Sequence, residues 1–342
     1  DVPQTGFYEA FWKPLETALA QTERVYLSPD GVLTQVSLGI VPAGDGKLLM
    51  EKYDLRVVSS TRDILRAVPA TPTNSAVLIG NPIFSLEEAG QRALARTLQR
   101  PGESAPLLAM VGSSLSRDHR GPGLAPLPGT RLELESVSTL LKKQQWKVEV
   151  DTEEKALEEV VKHVRSPRVL HIATHGFFRP DQKETRRTIP DDLPSGREDP
   201  MLRSGLYFAG ANRVLSGVPP APDLEDGVLT AYEAMGLNLQ GTELVVLSAC
   251  QTGLGVVKNG EGVFGLRRAL QVAGAEAVLM SLWSVPDQET QELMTLFYER
   301  WLSGKGKHEA LREAQLELRS RVKERRGHDL PFYWGAFVLV GR

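Results

Sequence analysis

"TELVVLSACQTGLG", residues 242–255, is an apolar run that ends at a cysteine and passes at once into a glycine-bearing loop. An apolar run this short, closed by a turn signal, reads as a strand buried on both faces. Outward from it, strand and helix signals alternate. "EGVFGLRRALQVAG" (261–274) has helical spacing, and "AEAVLMSLWSV" (275–285) is β-rich. "DQETQELMTLFYERWLSG" (287–304) and "HEALREAQLELRSRVKERR" (308–326) are helical, and "YWGAFVLVG" (333–341) closes as a strand. Upstream, "ELESVSTLLKKQ" precedes "WKVEVD", and "EEKALEEVVKHV" precedes "RVLHIATHGFF" (168–178). Strands joined by helices of this length predict an α/β fold with a mostly parallel sheet flanked by helices.

The first third is less regular. "FYEAFWKPLETALAQ" (7–21) predicts a helix kinked at Pro14. "RVYLSPDGVLTQVSL" (24–38) predicts two strands about a Ser-Pro-Asp-Gly turn. "SAVLIGNP" (75–82) predicts a buried strand, and residues 84–99 a helix. Residues 100–129 carry Gly, Pro and Ser in excess and read as a linker. The expected division is therefore a subdomain over 1–125, with an N-terminal helix, and a second over 126–342 that carries the chemistry. Residues 179–227 form a long polar interval with "SGLYFAG" (204–210) as a short strand inside it. A loop of that length suggests a functional segment or an insert.

Composition narrows the function classes. With 41% hydrophobic and 24% charged residues, the chain has the balance of a globular protein. A net charge of −3 gives no argument for nucleic acid or an acidic membrane as a direct partner. No apolar run approaches the roughly 18 to 20 residues that span a bilayer. A single cysteine excludes an internal disulfide and a zinc site of several thiolates, and it fits a reducing, cytoplasmic compartment. The chain starts at Asp1 with no signal peptide, so a longer parent protein is expected.

Ligands of parallel sheets sit beyond the carboxyl ends of the strands. "RVLHIAT" runs directly into His175-Gly176, and "ELVVLSA" runs directly into Cys250. A lone cysteine is most often a small buried apolar side chain. One that shares a strand edge with a histidine suggests chemistry instead. An imidazole can take a thiol's proton or hold the thiolate, and can then protonate a leaving amine. The oxygen of a carbonyl under attack needs donors, for which the backbone N–H groups of Gly176 and Cys250 are candidates.

"HIATH" puts His171 and His175 four apart, which on a helix would suggest a metal pair. The β-rich context and the lack of a HExxH glutamate oppose that reading, so neither metal nor cofactor is expected. His171, inside the apolar run, is expected to be a satisfied core residue. His119, His163, His308 and His328 sit in polar segments and carry no signal. No Walker P-loop, G-x-S-x-G elbow or Rossmann fingerprint is present, and Glu261 reads as a first-turn helix residue.

Four motifs in order carry a resemblance: "VLHIATHGFF", "DGVLTAYEAMGLNLQGTELVVLSACQTGLG", "GEGVFGLRRALQVAGAEAVLMSLWSVPDQET" and "PFYWGAFVLVG". The chain resembles the CHAT-domain family, of the cysteine-protease clan that includes caspases and separases. With "YLSPDGVL", "VLIGNP" and "LPGTRLELESV", the likeness runs from about residue 24 to the end. It implies a caspase-like α/β fold whose N-terminal part is a non-catalytic protease-like subdomain. It also implies His175 as general base and Cys250 as nucleophile of an endopeptidase. "SLWSVPDQET" resembles the separase segment whose acidic residue faces a substrate arginine, which implies Asp287 as the substrate-binding carboxylate and cleavage after Arg or Lys. The other reading of Asp287 is a helix N-cap. Arg186, Arg187 and Arg197 would then be within the enzyme's own specificity, so slow self-cleavage between residues 180 and 200, or else ordering of this loop on activation, is expected. Family members are commonly fused to tetratricopeptide-type sensor regions and held inactive. Some bacterial relatives act in anti-phage defence on gasdermin-like effectors. The implied partners are a protein substrate of that kind and an upstream sensor or regulator. A non-hydrolytic scaffold with the same fold, or another acyl-transfer enzyme, remains the alternative.

Overall fold

The computed structural model describes residues 5–65, 73–98, 123–178, 200–248 and 261–342. The strands in chain order are β1 (Arg24–Leu27), β2 (Asp54–Val57), β3 (Ser75–Pro82), β4 (Lys147–Glu153), β5 (Val169–Ala173) and β6 (Gly176–Phe178). They continue as β7 (Ser204–Tyr207), β8 (Val228–Thr230), β9 (Leu244–Leu247), β10 (Ala277–Ser281) and β11 (Phe337–Gly341). Eight of them form one sheet in the order β1-β2-β11-β10-β9-β5-β3-β4. Every pairing in it is parallel except β10 with β11. The remaining three, β6-β7-β8, make a small antiparallel sheet.

The continuous apolar runs are explained by burial from both sides. β5, β9 and β10 are buried at every residue. Alternation along them sends Val169, Ala173, Leu244, Val246, Ala277 and Leu279 to one face, against helices Pro128–Lys143, Asp287–Leu302 and Lys307–Arg326. Leu170, Ile172, Val245, Leu247, Val278 and Met280 go to the other, against helices Ala231–Ala234 and Glu261–Val272. The expected mostly parallel sheet flanked by helices is the observed architecture. Among the described residues no helix is long and apolar enough to cross a membrane.

Several local expectations are corrected. Only the first of the two strands expected over 24–38 forms. Asp30 accepts a hydrogen bond from the Gly31 N–H at 2.8 Å and starts a 3-10 turn, Gly31–Gln35, in place of the second. The N-terminal helix changes pitch around Pro14, passing from a π turn at Tyr8–Trp12 to a 3-10 turn at Lys13–Leu15. "RVLHIATHGFF" is two strands, because β5 ends at Ala173 and β6 joins the small sheet. Within the long polar interval, residues 200–227 hold β7 and a helix, Ala211–Leu215. Residues 179–199, with Arg186, Arg187 and Arg197, lie outside the described residues. β3, from before residue 125, lies between β4 and β5, from after it, in the eight-stranded sheet.

His308 departs from its polar surroundings. It is buried at the start of helix Lys307–Arg326, and its Nε2 donates to the Gly341 carbonyl of β11 at 3.0 Å. Burial pushes its pKa down from the usual histidine value to about 4. The folded state thus keeps a neutral ring that the unfolded chain would protonate near 6.5. Stability from this group is complete above 6.5 and lost as pH falls through 4, by on the order of 3 kcal/mol. Urea midpoints of His308→Gln are expected to fall less between pH 7 and pH 4.5 than those of the unaltered chain. Equal pH slopes would refute the assignment.

Candidate active site

The carboxyl end of β5 delivers His175. Its main chain is held by the small sheet, with the Tyr207 N–H donating to the His175 carbonyl at 2.9 Å and Thr174 Oγ1 donating to the Tyr207 carbonyl at 2.5 Å. Its ring stands 5.3 Å from that of Phe84, and Nε2 lies 3.0 Å from the carbonyl oxygen of Ala125. A carbonyl only accepts, so Nε2 carries the proton in the neutral ring and Nδ1 presents its lone pair. The Ala125 segment is itself fixed. Asn212 Oδ1 accepts from the Leu124 N–H at 2.7 Å, Asn212 Nδ2 donates to Ser85 Oγ at 3.2 Å, and Leu124 and Leu127 pack on Phe84, Phe177 and Tyr207.

Burial lowers the pKa of His175 below the usual histidine value, while the Ala125 carbonyl and the charge of Asp287 oppose the shift. The ring is therefore a neutral base at pH 7. For an enzyme using it as base, the acid limb of kcat/KM is expected below the ordinary value of about 6.5. Asp287→Asn removes a charge that favours the imidazolium, so the limb should move lower still. A limb that rises in this variant would contradict the placement.

Gly176 begins β6 opposite Leu206. Because His175 and Tyr207 are the hydrogen-bonded pair of this antiparallel ladder, Gly176 and Leu206 are the non-bonded pair that follows. The Gly176 N–H therefore points away from β7, on the side of β6 that no other described strand occupies.

Cys250 lies outside the described residues, which stop at Ser248 in this segment. The approach to it is described. β9 is the parallel neighbour of β5, and the Ser248 N–H donates to the Ile172 carbonyl at 2.9 Å.

Asp287 is the first residue of helix Asp287–Leu302, with Pro286 in the N-cap position. This corrects the N-cap reading by one residue. A carboxylate there still complements the helix dipole. Its side chain lies against Gly129, in the first turn of helix Pro128–Lys143. A Cβ built on Gly129 would stand 2.4 Å from both Asp287 Cβ and Oδ2, so glycine is required for this contact. The structure thus brings Asp287 within electrostatic reach of His175.

His171 is wholly buried with both ring nitrogens partnered, as a satisfied core residue should be. Among the described residues, the carboxylates of Glu158, Glu225 and Glu233 are close enough to share a cation. The Lys162 ammonium stands among them at 2.7, 2.7 and 3.0 Å. Sequence reading missed Ala125, Asn212 and Gly129. A backbone carbonyl has no side-chain signature, and Gly129 looked like part of a linker.

Residues 4–342 match the model of the CHAT domain family. Tetratricopeptide repeat protein 28 of Mus musculus is 26% identical over 362 residues, and that of Homo sapiens 25% over 364. Each alignment covers 99% of this chain and 13% of the relative, so the chain spans about an eighth of the length of these proteins. Among solved structures, the Arg-specific cysteine proteinase gingipain R is similar with a TM-score of 0.44 and 8% identity, over 89% of this chain and 56% of that one. The complex of Porphyromonas gingivalis RgpB pro- and mature domains gives 0.49 and 10%, over 99% and 67%. With a family match over nearly every residue, the chain belongs to the CHAT domain family.

Proposed function

We propose that the chain is the protease domain of a cysteine endopeptidase, with His175 as general base and Cys250 as nucleophile. One observation carries the reading. β5 and β9 are hydrogen-bonded parallel neighbours, so the strand that presents His175 lies beside the one that leads to the chain's single cysteine.

In this mechanism the Cys250 thiol gives its proton to Nδ1 of His175 as sulfur bonds to the peptide carbonyl carbon. The Ala125 carbonyl keeps the ring in the required tautomer. The negative oxygen is met by the N–H groups of Gly176 and Cys250. The imidazolium then protonates the leaving nitrogen as the C–N bond breaks. Water, deprotonated by the same ring, hydrolyses the thioester and restores the thiol. Asp287 receives a basic side chain just before the cut.

Residues 1–125 act as a protease-like subdomain that supplies no reacting group but completes the sheet and orients His175 through the Ala125 carbonyl, and the partner is a protein substrate in the cytoplasm. The naming of the relatives for tetratricopeptide repeats, with 13% of their length matched, supports an upstream sensor region. The family resemblance supports a gasdermin-like effector as substrate and a role in bacterial defence. N-terminal proteomics of a host lysate treated with active protein, against a Cys250→Ala control, tests the assignment. New termini preceded by Arg or Lys are expected only with active protein. Identical termini in both samples would favour the scaffold reading.

A further inference from the structure

A polar chain is buried in the core beneath the strand ends. Glu133, on helix Pro128–Lys143, is 2% exposed, His171 and Tyr298 are fully buried, and Ser248 is 4% exposed. His171 Nε2 lies 2.9 Å from Glu133 Oε1, Ser248 Oγ donates to Glu133 Oε2 at 2.9 Å, and His171 Nδ1 lies 3.1 Å from Tyr298 Oη. Every donor has one consistent direction. Carboxylate oxygens accept from Nε2–H and from the Ser248 hydroxyl, which leaves Nδ1 to accept from the Tyr298 hydroxyl.

We propose that Glu133 is a positioning residue: its carboxylate ties the middle of β5 to the end of β9 through His171 and Ser248, and so sets where His175 and Cys250 stand relative to each other. The inference rests on the dyad reading above. The site of attachment carries the argument. The bridge joins His171, paired with Val246 inside the β5–β9 ladder, to Ser248, one residue past its last registered pair, Ile172 and Leu247. It grips residues four before His175 and two before Cys250. Burying a carboxylate is costly, and an apolar side chain would serve as well if only packing were needed. A group with one oxygen for each strand fixes their relative position in a way packing does not.

The test uses Ser248→Ala, Ser248→Thr, Glu133→Gln and the double variant Glu133→Gln with Ser248→Ala, all checked for unchanged urea midpoints. Two readouts are taken: kcat and KM on a cleaved peptide, and the rate at which iodoacetamide alkylates Cys250, the only cysteine present. In Ser248→Ala both kcat and alkylation should fall about 10-fold with KM nearly unchanged, and in Glu133→Gln about 100-fold, the scale of an ångström-sized misplacement. Ser248→Thr, which keeps the hydroxyl, should recover most of the loss, and the double variant should be no worse than Glu133→Gln. Unchanged kcat and alkylation in folded Ser248→Ala and Glu133→Gln would overturn the proposal, as would an effect on KM alone. If Glu133→Gln does not fold, the contrast between Ser248→Ala and Ser248→Thr decides. If the unaltered chain cleaves nothing, the protease reading fails separately. Slower alkylation in Ser248→Ala would still sustain the role of Glu133, and equal alkylation would end it.

Discussion

Alanine at either His175 or Cys250 is expected to lower kcat/KM by about four orders of magnitude or more, and the double variant should be no worse than the singles. Removing the thiol removes the atom that bonds to substrate. Removing the ring leaves a thiol that is only a few per cent ionised at neutral pH and no acid for the leaving amine. The effect on stability should be small by comparison. His175 is partly exposed, and its ring contacts among the described residues include the Ala125 carbonyl and Phe84, so His175→Ala is expected to cost about 1 kcal/mol in a urea titration. Steady-state assays beside that titration separate the two effects. A folded His175→Ala that retains a tenth of the activity would remove the ring from the mechanism.

How much of this was legible in the sequence differs from element to element. β5, β9 and β10 were readable because strands buried on both faces must be apolar throughout, and that run-length signal survives without knowledge of the fold. Their shared edge followed from the rule for parallel sheets, and so did His175 as a residue worth testing. The turn at Asp30 was misread because Ser-Pro-Asp-Gly serves a hairpin and a 3-10 start equally well, and a side-chain bond to Gly31 chose between them. His308 looked solvated among Lys, Gly and Glu neighbours. Only the packing of its helix on β11 shows that it faces inward. The partners of His171 were likewise out of reach, since Glu133 and Tyr298 are 38 and 127 residues away along the chain. Long-range side-chain pairing leaves no periodic trace.

Asp287 is the second site where a large effect is expected, and it separates two functions of one carboxylate. If it receives the basic side chain of the substrate, Asp287→Asn should lower kcat/KM about 100-fold for peptides cut after Arg, because a buried guanidinium loses its charge-assisted partner. Peptides with a neutral residue at that position should change little. If its work is only to favour the His175 imidazolium, the acid limb should move lower by the same amount for every peptide, with no Arg-selective loss at neutral pH. Gly129→Ala provides an independent handle, because the added Cβ cannot coexist with the Asp287 side chain where it stands. Displacing the carboxylate without neutralising it should reproduce the Arg-selective loss in part. A peptide panel that compares Arg, Lys, norleucine and Asp before the cut, run on all three proteins, separates these outcomes. Rapid cleavage after Asp with none after Arg in the unaltered chain would reject the basic pocket, and would leave Asp287 as a residue that acts on His175 alone.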